Sequence, residues 1–316
     1  MSSRTLTRRA ATAAAALTSA VLVLTACGDD DSGSSGDGGG GGGGDTGASS
    51  SELPTVEEDA ELAALVPAEI AEDGVISVGS DTTYAPSEFL DEDGETIIGF
   101  DVDLFTLVGQ KLGLEVEFET APFDNIIAGV GSGRYEAGVS SFTINPERLA
   151  EANMVSYFSA GTQWSTRTGN PDDVNPDEAC GLAVAVQVGT VQVDDLTARS
   201  AECEAAGEEP IDIQQFESQA DATAAIASGR VAAGLADSPV MAYAVTQTNG
   251  QLELLGDIYD SAPYGYVVPL EQTQFAEALQ RALQALIDEG AYEEVLANWG
   301  VEDGAIDDPT VNPAVG

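Results

Sequence analysis

The stretch SGRYEAGVSS (132–141) returns ninety-six residues later as SGRVAAGLAD (228–237). Each copy follows an apolar helical segment, DNIIAGVG before the first and DATAAIAS before the second. In each, the glycine of Ser-Gly-Arg reads as a helix end, and the small apolar run after it reads as a buried parallel strand. A repeat on this scale predicts two similar α/β lobes rather than a solenoid. Ligands of such sheets bind beyond the carboxyl ends of the strands. The binding chemistry is therefore expected where the copies differ, at Ser141 in one and Asp237 in the other. The matching Arg134 and Arg230 fall at the opposite strand ends, about 17 Å away for a strand of about five residues, and read as turn or surface residues.

Around the first copy the pattern reads as strand 75–79, a loop, a hairpin at Gly94, helix 102–112, strand 114–119, helix 125–131 and strand 135–139. The acidic DEDGE (91–95) has part of a calcium-loop pattern but lacks the glutamate that completes it, so it reads as a polar hairpin turn. A second lobe opens with strand 182–186 and runs to about residue 259. The apolar SAPYGYVVP (261–269) is a further strand, and helices 273–288 and 292–298 close the fold. Those two helices need a sheet to cover, and the first lobe has the unused face. The chain is thus expected to cross to the second lobe and return, and two crossings make a hinge.

The first fifty residues stand apart from this fold. Arg4, Arg8 and Arg9 precede an Ala-rich apolar stretch ending at LTAC (24–27), which reads as a signal peptide over 1–26. LTAC resembles the lipobox of bacterial lipoproteins, which implies that Cys27 is lipidated; the paired Arg8 and Arg9 leave the export route open. The Gly/Ser/Asp-rich residues 27–51 read as a flexible tether, and about 265 residues remain for two lobes with separate cores. With Cys27 assigned to lipid, Cys180 and Cys203 are left as a disulfide pair in an oxidising compartment, worth about 3 kcal/mol.

The formal charge of −45 makes nucleic acid and anionic lipid headgroups poor partners. The chain has no histidine, which removes Ser-His-Asp and Cys-His catalysis, histidine metal sites and the commonest general base. No metal and no cofactor is expected.

In TINPERLA (143–150) Asn145 is placed to cap a helix and Pro146 suits its first position, which puts Arg148 in the first turn. A cation there opposes the helix dipole. Its compensation is either a neighbouring carboxylate or a ligand anion docked on the guanidinium and the helix N-terminus. Ser140, Ser141 and Thr143 lie just upstream. Asp237 precedes Ser238-Pro239, so it caps a helix, faces the cleft, or both. An arginine on one lobe and an aspartate on the other match a zwitterion, the shared part of every α-amino acid. Tyr84 and Phe123 either flank a ligand side chain or pack in the core. Gly189 and Thr190 in VQVGTVQV form a strand-to-helix turn whose N–H groups can meet a carboxylate.

Taken in order, VGSDTTYAPSEF, IIGFDVDLF, PFDNIIAGVGSGRYEAGVSSFTINPER, VAVQVGT, ASGRVAAGLADSPVMAY, PYGYVVP and LIDEGAYEEVLANWG resemble the solute-binding lipoproteins of polar amino-acid ABC transporters, family 3. The resemblance spans about residues 74–300. It implies the two-lobed type II periplasmic-binding-protein clamp, with lobe 1 from 72–160 plus 263–302 and lobe 2 from 161–262. It implies that Arg148, helped by Thr143 and the Gly189-Thr190 turn, takes the ligand α-carboxylate and that Asp237 takes the α-ammonium. Tyr84 and Phe123 then flank the side chain, and Asp81, Ser140 and Ser141 line its pocket, with a polar or basic amino acid as ligand. Ser87 stands where the family often has an aromatic residue, and Gln187 and Val188 stand in a turn whose side chains vary with specificity. The implied partners are a free amino acid, a permease with its cytoplasmic ATPase, and the membrane through the lipid anchor alone, for a monomer outside the cytoplasm. The alternative is an enzyme resembling cyclohexadienyl dehydratases, with Asp81, Glu88 or Asp237 as the acid; a sensor domain is a third reading.

Overall fold

Val75–Ser80 (β1) is flanked in parallel by Glu115–Thr120 (β5) and by the short Ala137–Gly138 (β6), so three of the expected strands form one end of a sheet. The computed structural model of the chain describes residues 53–315. The predicted signal peptide, Cys27 with its expected lipidation, and the predicted tether lie outside the described residues. A short helix, Ala60–Ala63 (α1), leads in, and a small antiparallel sheet follows β1: Thr83–Tyr84 (β2), Glu88–Leu90 (β3) and Ile97–Ile98 (β4). The turn between β3 and β4 is the DEDGE segment. There Asp93 accepts from the backbone of Glu95 and Thr96, and Gly94 adopts the positive φ that lets the chain reverse.

Helix Phe100–Lys111 (α2) begins two residues before the expected start because its N-cap is Gly99, whose φ of 140° leaves no side-chain signal in the sequence. Helix Phe123–Gly131 (α3) then leads to β6, and Pro146–Glu151 (α4) follows as the sequence predicts, capped by Asn145 Oδ1 accepting from the Arg148 N–H at 2.8 Å.

The two crossings are single long strands. Asn153–Arg167 (β7), not assigned from sequence, and Leu252–Val268 (β11) pair antiparallel and run through both ends of the sheet. The strand expected over 261–269 is the second half of β11. Its first half is partly exposed, so the continuous apolar run that marks a buried strand starts late. Beyond β7 the order continues through Ala233–Asp237 (β10), Ala183–Gln187 (β8) and Asp212–Phe216 (β9). Val191–Ala206 (α5), Gln219–Ala227 (α6) and Ser238–Gln247 (α7) belong to this end. Cys180 and Cys203 form a disulfide.

Thr273–Glu289 (α8) and Ala291–Trp299 (α9) return to the first end of the sheet. On α8 Phe275, Leu279, Ala282, Leu283 and Leu286 recur at helical spacing and are buried against Phe105, Val108 and Tyr266. Burying each such leucine or phenylalanine stabilises the fold by about 1.5–3 kcal/mol. Lys111 at the end of α2 is tied to Glu289 at the end of α8 at 2.6 Å. The second lobe has a smaller-grained core, built around Ala185 with Ala222, Ala225 and Ile226 of α6, and around Trp164 and Val184 with Leu196 of α5. No helix of the described residues is long and apolar enough to cross a membrane.

Candidate functional site

Arg148 is buried although it carries a charge, and the structure holds it from both lobes. Its Nη1 donates to the Thr143 carbonyl at 2.8 Å and its Nη2 to the Gly189 carbonyl at 3.1 Å. The guanidinium carbon lies 5.4 Å from the Phe123 ring centroid and 5.5 Å from that of Phe142, beside a stacked pair. Burial lowers the Arg148 pKa from its ordinary value, opposed first by the charge of Asp237. Two carbonyl bonds leave further N–H donors of the fork free for an anion.

Asp237 ends β10 at the N-cap position of α7, but its side chain does not cap that helix. Oδ2 accepts from the Tyr84 hydroxyl at 2.9 Å and Oδ1 from Gln192 Nε2 at 2.8 Å, while the Asp237 N–H donates to Tyr84 Oη at 3.2 Å. Burial raises its pKa, opposed by the neighbouring hydroxyls of Tyr264 and Tyr84, by Gln192 and by the charge of Arg148. Arg148 and Asp237 line the same pocket and form no ion pair with each other among the described residues. Each presents its charge to the space between them.

Tyr84, Phe123, Ser141, Thr143 and Thr190 line this pocket as well. Thr190 stands at the N-cap of α5, yet its hydroxyl donates to the Gln187 carbonyl at 2.8 Å. The first N–H groups of a sixteen-residue helix thereby have no side-chain cap, and Val191 and Gln192 of that turn border the pocket. Gly189 takes φ +76°, which aims its carbonyl at Arg148.

Two expected residues stand one layer behind. Asp81 accepts from the Phe123 N–H at 3.1 Å and from Gln187 Nε2, across the cleft, at 2.9 Å; Thr83 supplies two further donors. Burial is the main cause of its raised pKa. Ser140 Oγ accepts from the Asp81 N–H at 3.0 Å and donates to Glu88 Oε1 at 2.9 Å.

Gln192 was not singled out from sequence. As a polar residue in the first turn of a helix it looks like a solvated position, yet it is buried, with Nε2 donating to Thr162 Oγ1 at 3.2 Å and to Asp237 Oδ1. Asp101 was missed for the same reason, since an acid in a helix's first turn has a local explanation in the dipole.

The space at the centre of the pocket is about 10 Å³, about that of one water. Four contacts shut it from both sides: Arg148 to Gly189, Tyr84 to Asp237, Asp81 to Gln187, and Thr83 Oγ1 to the Gln219 N–H. At its mouth lies a groove of about 320 Å³ whose rim carries Asp124, Glu147, Glu151 and Asp194, with Arg148 between groove and pocket. An amino acid enters such a pocket only when the lobes separate.

Residues 76–302 match the family described as bacterial extracellular solute-binding proteins, family 3. The arginine-binding protein ArgT of Corynebacterium glutamicum is 40% identical over 253 residues, covering 80% of this chain and 83% of that one. A solved structure of an ancestral arginine-binding protein bound to arginine superposes with a TM-score of 0.66 at 29% identity, covering 72% of this chain and 98% of that one. An ancestral amino acid-binding protein, a precursor of cyclohexadienyl dehydratase, superposes with a TM-score of 0.66 at 28% identity, covering 73% and 97%.

Proposed function

Since this chain belongs to the bacterial extracellular solute-binding proteins, family 3, we propose that it captures a basic L-amino acid of the arginine class for an ABC importer. The observation that carries this reading is the pair Arg148 and Asp237, supplied by opposite lobes to one pocket and not neutralising each other. The α-carboxylate docks on Arg148 and the α5 N-terminus, and the α-ammonium on Asp237. Each charge-assisted bond contributes about 1.5–3 kcal/mol.

Selectivity for a cationic side chain rests on the balance of charge. Among the described residues Arg148 is the one cation at the pocket and groove, against Asp237 in the pocket, Asp124, Glu147, Glu151 and Asp194 at the mouth, and Asp81 bound to the Phe123 N–H. After one ammonium and one carboxylate have been paired, an unmatched negative field remains, which a guanidinium or ammonium side chain relieves and a glutamate side chain aggravates. Gln187 Nε2 holds the place on Asp81 that such a side chain can take when the cleft opens.

Capture needs no chemistry on the ligand. The lobes, 72–160 with 263–302 and 161–262, swing on β7 and β11, whose pairing slips between Leu255 and Ala262 where the chain passes between them. Ligand contacts made by both lobes shift the population toward the closed form, which is presented to the permease and its ATPase. The same proposal keeps the protein a monomer held to the membrane by lipid on Cys27; Cys27→Ser is expected to move it from the membrane fraction to the medium. Calorimetry against arginine, lysine, glutamine and glutamate tests the ligand. Arginine is expected to bind tightest and glutamate weakest, and the reverse order sinks the charge argument. Turnover of prephenate or arogenate by the purified protein would replace capture with catalysis.

A further inference from the structure

Behind Ser140 and Ser141 lies a buried polar group that the capture reading leaves unexplained. Glu88 at the start of β3 and Asp101 in the first turn of α2 are both fully buried. Glu88 Oε1 accepts from Ser140 Oγ. Asp101 Oδ2 accepts from the Ser141 N–H at 3.0 Å, from Ser141 Oγ at 3.3 Å and from the Tyr157 hydroxyl. The remaining oxygens, Glu88 Oε2 and Asp101 Oδ1, are buried with no donor, and the two carboxyl groups, held by the adjacent Ser140 and Ser141, lie close enough for each to act on the other's ionisation. Two carboxylates have no donor to offer one another, whereas a carboxylic acid has one. A single proton between Oε2 and Oδ1 gives both orphan oxygens a partner and removes one of two adjacent buried charges.

The surroundings supply no other remedy. Among the described residues the titratable groups facing the pair are Asp81 from the loop after β1, Tyr84 from β2, Tyr157 from β7 and Tyr266 from β11, and none is a cation. Neither acid forms an ion pair among the described residues. Burial pushes Asp101 up to about 6. Burial, and then the charge of Asp101, push Glu88 well above the usual carboxylate range.

We infer that Glu88 and Asp101 share one proton and together position Ser141 as an acceptor in the amino-acid pocket. Ser141 lines that pocket with its backbone in the left-handed region, φ 49°, and both of its donors are committed to Asp101 Oδ2. What it retains for the cleft is acceptor lone pairs, on Oγ and the carbonyl. The serine at the end of the first repeat copy therefore favours an N–H-bearing group, as the aspartate at the end of the second does, without placing a charge in the pocket. The inference rests on reading the cleft as an amino-acid site, but the shared proton can be tested without a ligand.

The test compares the full chain with Glu88→Gln and Asp101→Asn. Glu88→Gln keeps a donor for Asp101 and has no proton to lose. The infrared spectrum at neutral pH is expected to show a protonated-carboxyl C=O band, sensitive to deuterium, that Glu88→Gln abolishes. The folded Glu88 holds its proton to higher pH than the unfolded chain does. Its contribution to stability is thus full below the ordinary glutamate value and is lost as pH rises toward the folded value. The Tm of the wild type should fall more steeply with rising pH than that of Glu88→Gln. Arginine affinity is expected to drop roughly tenfold or more in Asp101→Asn, which weakens the acceptor on which both Ser141 donors rest. An unchanged carboxyl band in Glu88→Gln, parallel Tm–pH curves, or a folded Asp101→Asn with wild-type affinity would each overturn the inference. If arginine fails to bind the wild type, the proposed function falls while the band and the Tm slope still decide the proton.

Discussion

In the first lobe the strand after Ser-Gly-Arg is only Ala137–Gly138, and the chain runs on into Ser140 and Ser141, whose hydroxyls turn away toward Glu88 and Asp101. In the second lobe the corresponding strand is Ala233–Asp237, and it ends in a carboxylate that faces the pocket directly. The two copies thus deliver their last residue to the same cleft by the same local construction, but one lobe keeps its acids a layer behind and the other puts its acid in front. One grammar of helix, glycine turn and buried strand fixes a position. The residue written at that position decides whether the position carries charge.

The lobes also differ in how they are held together. The first has a core rich in phenylalanine, tyrosine and leucine, while the second relies on alanines around Ile226 and carries the disulfide, which closes a separation of 23 residues. Small side chains bury less apolar area each, so the second lobe has more to gain from a cross-link. Replacing Cys180 and Cys203 by serine is expected to lower stability by about 3 kcal/mol, with the loss of amide-exchange protection concentrated in 161–262. Equal loss in both lobes would erase this contrast.

Asp237→Ser writes the ending of the first copy into the second. It should weaken arginine binding by about 1.5–3 kcal/mol, roughly ten- to 150-fold by calorimetry, because Tyr84 and Gln192 lose their acceptor together with the ligand ammonium. Unchanged affinity would mean that the two endings are equivalent. Gly189→Ala acts on closure instead. A β-carbon there would stand 2.9 Å from Asp124 Cβ across the cleft, at a backbone φ of +76° that disfavours one. About 1 kcal/mol of weakened binding is expected, with small-angle scattering showing a more open chain; a closed profile would contradict it. The smallest effects belong to the matched arginines at the far strand ends. Arg134 is exposed, in a loose 3.8 Å pair with Glu119, and Arg230 is exposed beside Phe216. Either change to alanine should alter stability and binding by no more than about 0.5 kcal/mol in thermal melts and calorimetry.

Much of this was legible along the chain because it depends on neighbours in sequence. The Asn145-Pro146 start of α4, the glycine turn at 189, the hairpin at Gly94 and the helical stripe of α8 each carry their cause within a few residues. The strand β7 was not legible, since a run such as NMVSYFSAGTQWSTR (153–167) mixes polar and apolar residues that are buried only because both ends of the sheet and both lobes surround it. Asp81 and Ser140 were expected in the pocket wall and stand behind it, a depth that local pattern does not encode.

By itself the sequence determined the repeated α/β construction, the two crossings and the opposite charges of Arg148 and Asp237, because periodicity, turn chemistry and residue type are properties of short segments. Only the tertiary structure decided which of those charges share a pocket, that Gln192 joins them, and that Glu88 meets Asp101. Those relations join residues from 13 to 89 positions apart, and they exist only once separate elements of the chain have packed and water has been excluded from between them.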